Sequence, residues 1–410
     1  MSFSQALSGL NAAKSNLGVL GNNIANSQTV GFKGASSQFA DVFANSQVGL
    51  GTRVSAVLQD FSEGNIEATN RNLDLAISGQ GFYRFEQDGE IVYSRNGQLT
   101  LTPDGFLQNA QGARIMGYGL NAQGQVQAGG QPQVLTVPAD EMPASATTNV
   151  ATTFNLDSRK VEGEERSVSE VTNIATGDPE DINYHYSNNF TVYDSLGNPR
   201  NITVYYDKTA SNTWDAKVVM DGSYDAGNNF EVEFDNSGVL SAPAADDMPD
   251  LTFDAQTLGD DPEVLTFTLN IAGSTQFGNT STTSALTQDG YTSGALVGIT
   301  IQDDGTIMRN YANEQSRPAG QIALANFRNP EGLNAAGDNV WTATNASGQE
   351  LLGAPGTGVL GSVVSGAIET SNVDMAKQLV DMIVSQRAYQ ANSQTIKTQD
   401  ELLQTAINLR

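Results

Sequence analysis

The stretch Ser371-Asn372-Val373-Asp374-Met375-Ala376-Lys377-Gln378-Leu379-Val380-Asp381-Met382, continuing without Pro or Gly to Arg410, decides how the rest of the chain is read. Met375, Met382, Tyr389, Ile396 and Leu403 recur at intervals of seven, with Leu379 between the first two. That period predicts one long helix bearing a seam of large side chains. Ser371 and Asp374 have the spacing of a capping box that starts it. At about 1.5 Å per residue the helix would reach roughly 55 Å, more than a compact domain needs. A single-seam helix at a chain end, with nothing after it, is expected to find its cover in partners.

The front of the chain carries a weaker version of the pattern. Ser2 and Gln5 form a second capping box, and Phe3, Leu7, Leu10, Leu17 and Ile24 fall on a/d spacing. Gly18 and Gly21 weaken this helix by about 1 kcal/mol each relative to Ala. Two helices packed only on each other leave much of each stripe wet, so other copies of the chain should bury the surplus. In the free monomer both termini are expected to be largely disordered, ordering as they are buried.

Between the helices the signals are those of β-structure. Asn22 to Asn26 and Thr29-Val30-Gly31-Phe32-Lys33 end the first helix, and residues 39–67 read as extended, irregular chain. Asp88-Gly89, Asn96-Gly97, Asp104-Gly105, Gln111-Gly112 and Gln123-Gly124 then punctuate short apolar runs, predicting a meander of hairpins. Pro138 and Pro143 mark a boundary before an acidic section of alternating strands. Within that section, Phe190 to Tyr193 and Ile202 to Tyr205 flank a long turn at Ser195-Leu196-Gly197-Asn198-Pro199. Residues 277–284 read as a linker back, after which the meander resumes through the Asp304-Gly305 turn, with Trp341 anchoring its core and 353–366 a flexible run.

The expected fold is mainly β with α-helical termini: nested β domains, meander and sandwich-like, on a paired terminal-helix coiled-coil stem. The expected divisions are 1–30 plus 371–410 for the helices and 31–72 plus 353–370 for an extended linker region. A discontinuous β domain takes 73–145 plus 285–352, and an inserted acidic β domain takes 146–284.

Composition narrows the function. The chain has no cysteine, which excludes disulfides and thiolate metal sites, and its one histidine, His185, argues against His-based catalysis or zinc binding. Net charge is −26, of which residues 146–285 contribute −17 through 23 acidic and 6 basic side chains, whereas residues 1–60 sum to +1. Nucleic acid, whose phosphates demand a basic footprint, is not an expected partner. No 18-residue apolar run predicts a membrane span, and residues 1–20 lack the pattern of a cleaved secretory signal.

Several strings mimic ligand-binding motifs without their context. Gly356-Thr357-Gly358-Val359-Leu360-Gly361 spells G-x-G-x-x-G, but Pro355 precedes it and no further βα unit follows. Asp303-Asp304-Gly305 and Asp246-Asp247 lack the other ligands of a calcium loop. No catalytic, cofactor or metal residue is assigned, and no enzymatic activity is expected. The rival readings are a cell-surface binding module using the acidic β domain and a carboxylate-based glycoside hydrolase. Neither accounts for helical seams at both ends.

The two ends resemble the terminal signatures of the bacterial flagellar rod–hook axial protein family. At the front these are Ala6-Leu7-Ser8-Gly9-Leu10, Asn22-Asn23-Ile24-Ala25-Asn26 and Thr29-Val30-Gly31-Phe32-Lys33. At the back they are Ser371 to Ala376, Ser385-Gln386-Arg387-Ala388-Tyr389-Gln390-Ala391-Asn392 and Thr398 to Leu403. Length and the nested extra domain favour the hook branch over the shorter rod proteins, with rod or hook-associated subunits as the alternative within the family. The resemblance implies a flexible, torque-carrying tubular homopolymer with the terminal helices lining a channel. It also implies a place on the flagellum, outside the cell, reached by type III export without a cleaved signal. The partners it implies are other copies, rod and hook–filament junction proteins, the hook cap and the export apparatus.

Overall fold

The computed structural model describes residues 3–42, 49–259 and 261–408, and the chain falls into two compact units. The first takes Met1–Ala139, Val297–Asn310 and Ser316–Arg410; the second takes Asp140–Leu296 and Tyr311–Gln315.

In the first unit an N-helix (Phe3–Ala25) and a C-helix (Met375–Asn408) lie side by side. At 34 residues the C-helix is about 51 Å long. It begins later than the Ser371 capping box predicts. Asp374 is the cap, its Oδ1 accepting from the Ala376 and Lys377 amides at 2.9 and 3.1 Å. Residues 371–373 stay out of the helix because the Asn372 side chain is engaged elsewhere. Its Oδ1 accepts from Gly34 N and its Nδ2 donates to Asp60 O, both at 2.8 Å. Ser2, half of the front capping box, and Arg410 lie outside the described residues.

The irregular chain expected over 39–67 is instead mostly paired. Ala35–Val42 and Gly51–Gln59 form an antiparallel hairpin with a bulge at Gln38/Phe39, and residues 43–48 lie outside the described chain. Ile66–Ala68 pairs with Ala367–Glu369. The hairpin rests on the N-helix, where Thr52 N donates to Ser8 Oγ at 3.2 Å. Neither of its faces is fully buried, so no two-residue alternation of apolar residues was there to read.

The meander follows the expectation at Asp88-Gly89, where φ values of 53° and 82° make the tight turn between Phe82–Gln87 and Glu90–Ser94. Asn96-Gly97 departs from it, since Gly97–Gln98 is a strand on Asp74–Ser78. Segments before and after the acidic section share one sheet: Phe82 and Tyr83 pair with Ala325 and Leu324, and Tyr93 with Trp341. Its core includes Tyr83, Phe85, Leu107, Ile115, Ile307 and Ile322. Trp341 is buried in a neighbouring aromatic cluster with Phe82, Tyr93 and Phe327, and its Nε1 donates to Gln59 Oε1 at 2.7 Å. The run expected to be flexible over 353–366 includes the strand Ser362–Ser365, which pairs with Asp74–Ser78 and buries Val363 completely. The G-x-G-x-x-G string therefore opens on a strand and not on a helix.

The second unit is built of an eight-stranded and a five-stranded sheet. Phe154 and Phe267 from one and Val204 and Trp214 from the other share a core. Tyr186–Tyr193 pairs with Pro199–Ala210 around the expected turn, with Tyr193 opposite Pro199. Residues 277–284 are not a plain linker, because Thr282–Gln288 is a strand on Asn149–Asp157. Every residue of that strand is exposed, and its Thr-Thr-Ser-Ala-Leu-Thr-Gln composition carries no buried-face signal. The His185 side chain is enclosed, its Nε2 donating to the Val161 and Glu164 carbonyls at 3.1 and 3.0 Å. Asp304 Oδ1 accepts from Thr306 N within its own turn.

Candidate assembly surface

The two helices run antiparallel, and their contacts recur every seven residues. Gly9 faces Asn392, Asn16 Nδ2 donates to Ser385 Oγ at 2.6 Å, and Asn23 Nδ2 donates to Gln378 Oε1 at 3.1 Å. The inward residues of the N-helix are small or polar, with Ala6, Ala12, Ala13, Leu20 and Asn23 buried. Among the described side chains of the C-helix the buried position is Ser385. Small residues let the two backbones approach, and amides and hydroxyls supply the register.

This arrangement divides the predicted seam residues. Leu10, Leu17, Ile24, Met382, Tyr389 and Ile396 are half-buried. Phe3, Leu7, Met375, Leu379 and Leu403 are exposed. The C-helix is also not single-seamed as expected. Val380 and Val384 are 60% and 61% exposed, and with Leu379 and Ile383 they form a bare apolar patch on the side turned away from the N-helix. Further along, that outward side is polar, through Gln390, Gln394, Lys397, Thr398 and Glu401. A period search anchored on Met375 and Tyr389 passes over the second stripe. The pairs 379/383 and 380/384, four residues apart, are the signal that reveals it.

Where the helices meet the β body, the family-like strings are held by polar contacts. The Asn23 side chain pairs with Ala35 like a neighbouring strand, donating to its carbonyl at 2.7 Å and accepting from its amide at 2.9 Å. Gly31 has φ 68°, and a Cβ there would stand 2.7 Å from Asn96 N, so only glycine fits. Its amide donates to Glu369 O at 2.7 Å.

Glu369 is the centre of a buried ionic cluster. Its Oε1 is 2.6 Å from Lys33 Nζ and accepts from Gly64 N at 2.9 Å, and its Oε2 is 2.9 Å from Arg95 Nε. Side-chain exposure is 1% for Lys33, 4% for Arg95 and 0% for Glu369. Lys33 also donates to Ser62 O, and Arg95 to the carbonyls of Gly81 and Gly79 at 2.7 and 2.9 Å. Burial holds the Lys33 ammonium below its ordinary pKa, against the upward pull of Glu369. No spacing rule could pair Lys33 with Glu369, since 336 residues separate them.

Four family profiles match in chain order. They are described as flagella basal body rod protein (residues 4–33), flagellar hook protein FlgE/F/G D1 domain (76–153), flagellar basal body protein FlaE D2 domain (155–291) and flagellar basal body rod FlgEFG protein C-terminal (364–409). With helices at both ends and β units between, these matches define a flagellar axial protein. The flagellar hook protein FlgE of Salmonella typhimurium strain LT2 is 44% identical over 419 residues, covering all of both chains. That of Escherichia coli strain K12 is 44% identical over 418 residues, again across both full lengths. A crystal structure of Helicobacter pylori flagellar hook protein FlgE2 shares the fold, with TM-score 0.52 and 14% identity over 74% of this chain and all of that one. The chain belongs to the flagellar hook protein family: it is a structural subunit of the flagellar hook and not an enzyme.

Proposed function

We propose that the chain polymerises with copies of itself into a flexible tube through its terminal helices, and that this tube carries motor torque to the filament. The observation behind this reading is the bare apolar patch Leu379, Val380, Ile383 and Val384, together with exposed Phe3 and Leu7. Isolated soluble chains gain by covering such contiguous surface. Leu7, Met375, Leu379 and Leu403 then face neighbours, while Leu10, Leu17, Met382, Tyr389 and Ile396 close an antiparallel coiled-coil stem. In the free monomer that stem is largely disordered, because its own interface buries little apolar surface.

On this reading residues 1–30 and 371–410 form the axial core, 31–72 and 353–370 an extended linker region, 73–145 and 285–352 a discontinuous β domain, and 146–284 an inserted acidic outer one. The outer domain meets its neighbours through polar contacts loose enough to slide as the tube bends. Export by the type III apparatus without a cleaved signal, an extracellular position, and contacts with rod, junction and cap proteins complete the proposal.

Electron microscopy of purified full-length chain against a chain lacking 371–410 tests it. Tubes from the former and none from the latter are expected. Tubes of normal length and bending from the truncated chain would remove the axial role.

A further inference from the structure

We propose that Lys33, Arg95 and Glu369 are positioning residues for assembly: they fix the direction in which the helix stem leaves the β body, and so the helical geometry of the tube. The inference rests on the polymer reading above and adds to it the part that sets shape.

Three observations carry it. The cluster joins three segments far apart in the chain and adds side-chain ties to the backbone bond from Gly31 N to Glu369 O. Lys33 follows the N-helix, Glu369 precedes the C-helix, and Arg95 belongs to the β body. Each also grips backbone: Lys33 holds Ser62 O, Glu369 holds Gly64 N, and Arg95 holds the carbonyls of Gly79 and Gly81. The Arg95 guanidinium is thus fixed on three sides, and a planar fork held that way resists rotation as well as separation. Finally, the charges are unequal, two cations to one carboxylate, all nearly without solvent contact. A buried ionic group is a poor source of stability compared with apolar packing of the same volume, and its best-attested use is to select one arrangement over others.

The unequal charge makes the idea testable by the order of effects. Glu369→Gln leaves two enclosed cations without an anion, whereas Lys33→Met leaves a balanced Arg95–Glu369 pair. Adding Lys33→Met to Glu369→Gln removes one of the stranded cations. Tubes are grown from each full-length variant, with the assembly threshold read by pelleting and the pitch and curvature by electron microscopy. Monomer melting is followed alongside.

Glu369→Gln is expected to raise the threshold at least 100-fold, and the double variant to recover at least tenfold of that. Lys33→Met is expected to assemble within about threefold of the parent, but into tubes of altered pitch or curvature. Lys33→Met tubes that superimpose on parental ones would overturn the proposal, leaving the cluster a fold-holding contact only. Should Lys33→Met fail to fold, Arg95→Lys gives the same comparison, because it keeps the charge and gives up the fork. A parent chain that forms no tubes would instead refute the polymer reading itself.

Discussion

Replacing Val380 and Val384 together by Gln tests the bare patch on the C-helix with the least disturbance elsewhere. Gln is a better helix former than Val, so the helix itself gains slightly. Neither side chain touches the N-helix, and the Asn16–Ser385 and Asn23–Gln378 contacts are left intact. The two valines are 60% and 61% exposed, so a neighbour can cover rather more than half of each. Full burial of a valine stabilises by about 1.5 kcal/mol, which puts the lost contact near 0.9 kcal/mol per site and about 1.8 kcal/mol for the pair. Enclosing two amides without partners adds about 1 kcal/mol each on protein-derived scales. The sum, about 3.8 kcal/mol per subunit, corresponds to a rise of roughly 600-fold in critical concentration. Pelleting of assembled material over a dilution series measures it. As a control, Gln394→Ala and Lys397→Gln on the polar half of the same side should shift the threshold by less than about threefold. A V380Q/V384Q threshold within twofold of the parent would refute the reasoning, whatever the fold of the monomer.

Asn23→Ala removes both bonds to Ala35 and the one to Gln378. It should loosen that junction by about 2 kcal/mol, seen as roughly 30-fold faster hydrogen exchange at the Ala35 amide. Trp214→Phe strands Gln276 Oε1, which accepts from the indole at 2.7 Å, and opens a space in the sandwich core. The second unit should lose about 2–3 kcal/mol in urea unfolding followed by circular dichroism. Partial burial pushes the Asp289 carboxyl upward, but hydrogen bonds from the amides and side chains of Asn149 and Thr148 outweigh it and hold the pKa at about 2. A folded value below the ordinary 3.8 means stability that is present above that pH and fades as pH falls toward about 2. Asp289→Asn should therefore flatten the acid limb of the stability curve in that window, and equal slopes in both proteins would count against the assignment.

What the sequence disclosed depended on whether a local rule applied. The Asp88-Gly89 hairpin and the Tyr193–Pro199 turn were legible because turn chemistry acts within a few residues. The long rear helix was legible for the same reason, since its period repeats over 34 residues. The inner face of the helix pair was not, because Ala6, Ala13, Asn16 and Ser385 carry no apolar bulk for a period search to weigh. The strand Thr282–Gln288 was read as linker for a related reason: a fully exposed strand has no buried side to betray it. The ionic cluster lay beyond reach altogether, because only the finished topology brings residues 33, 95 and 369 together.

That last distance bears on timing. Lys33 lies in the first tenth of the chain and Glu369 nine-tenths of the way along it, so their bond cannot close until that much of the chain is available to fold. Closing so long a loop costs only slowly more entropy as it lengthens, yet its order in time is strict. Until residue 369 is available the ionic cluster stays open, whatever the middle of the chain has done. Its closing therefore marks a chain present through the strand Ala367–Glu369, with the C-helix next in line.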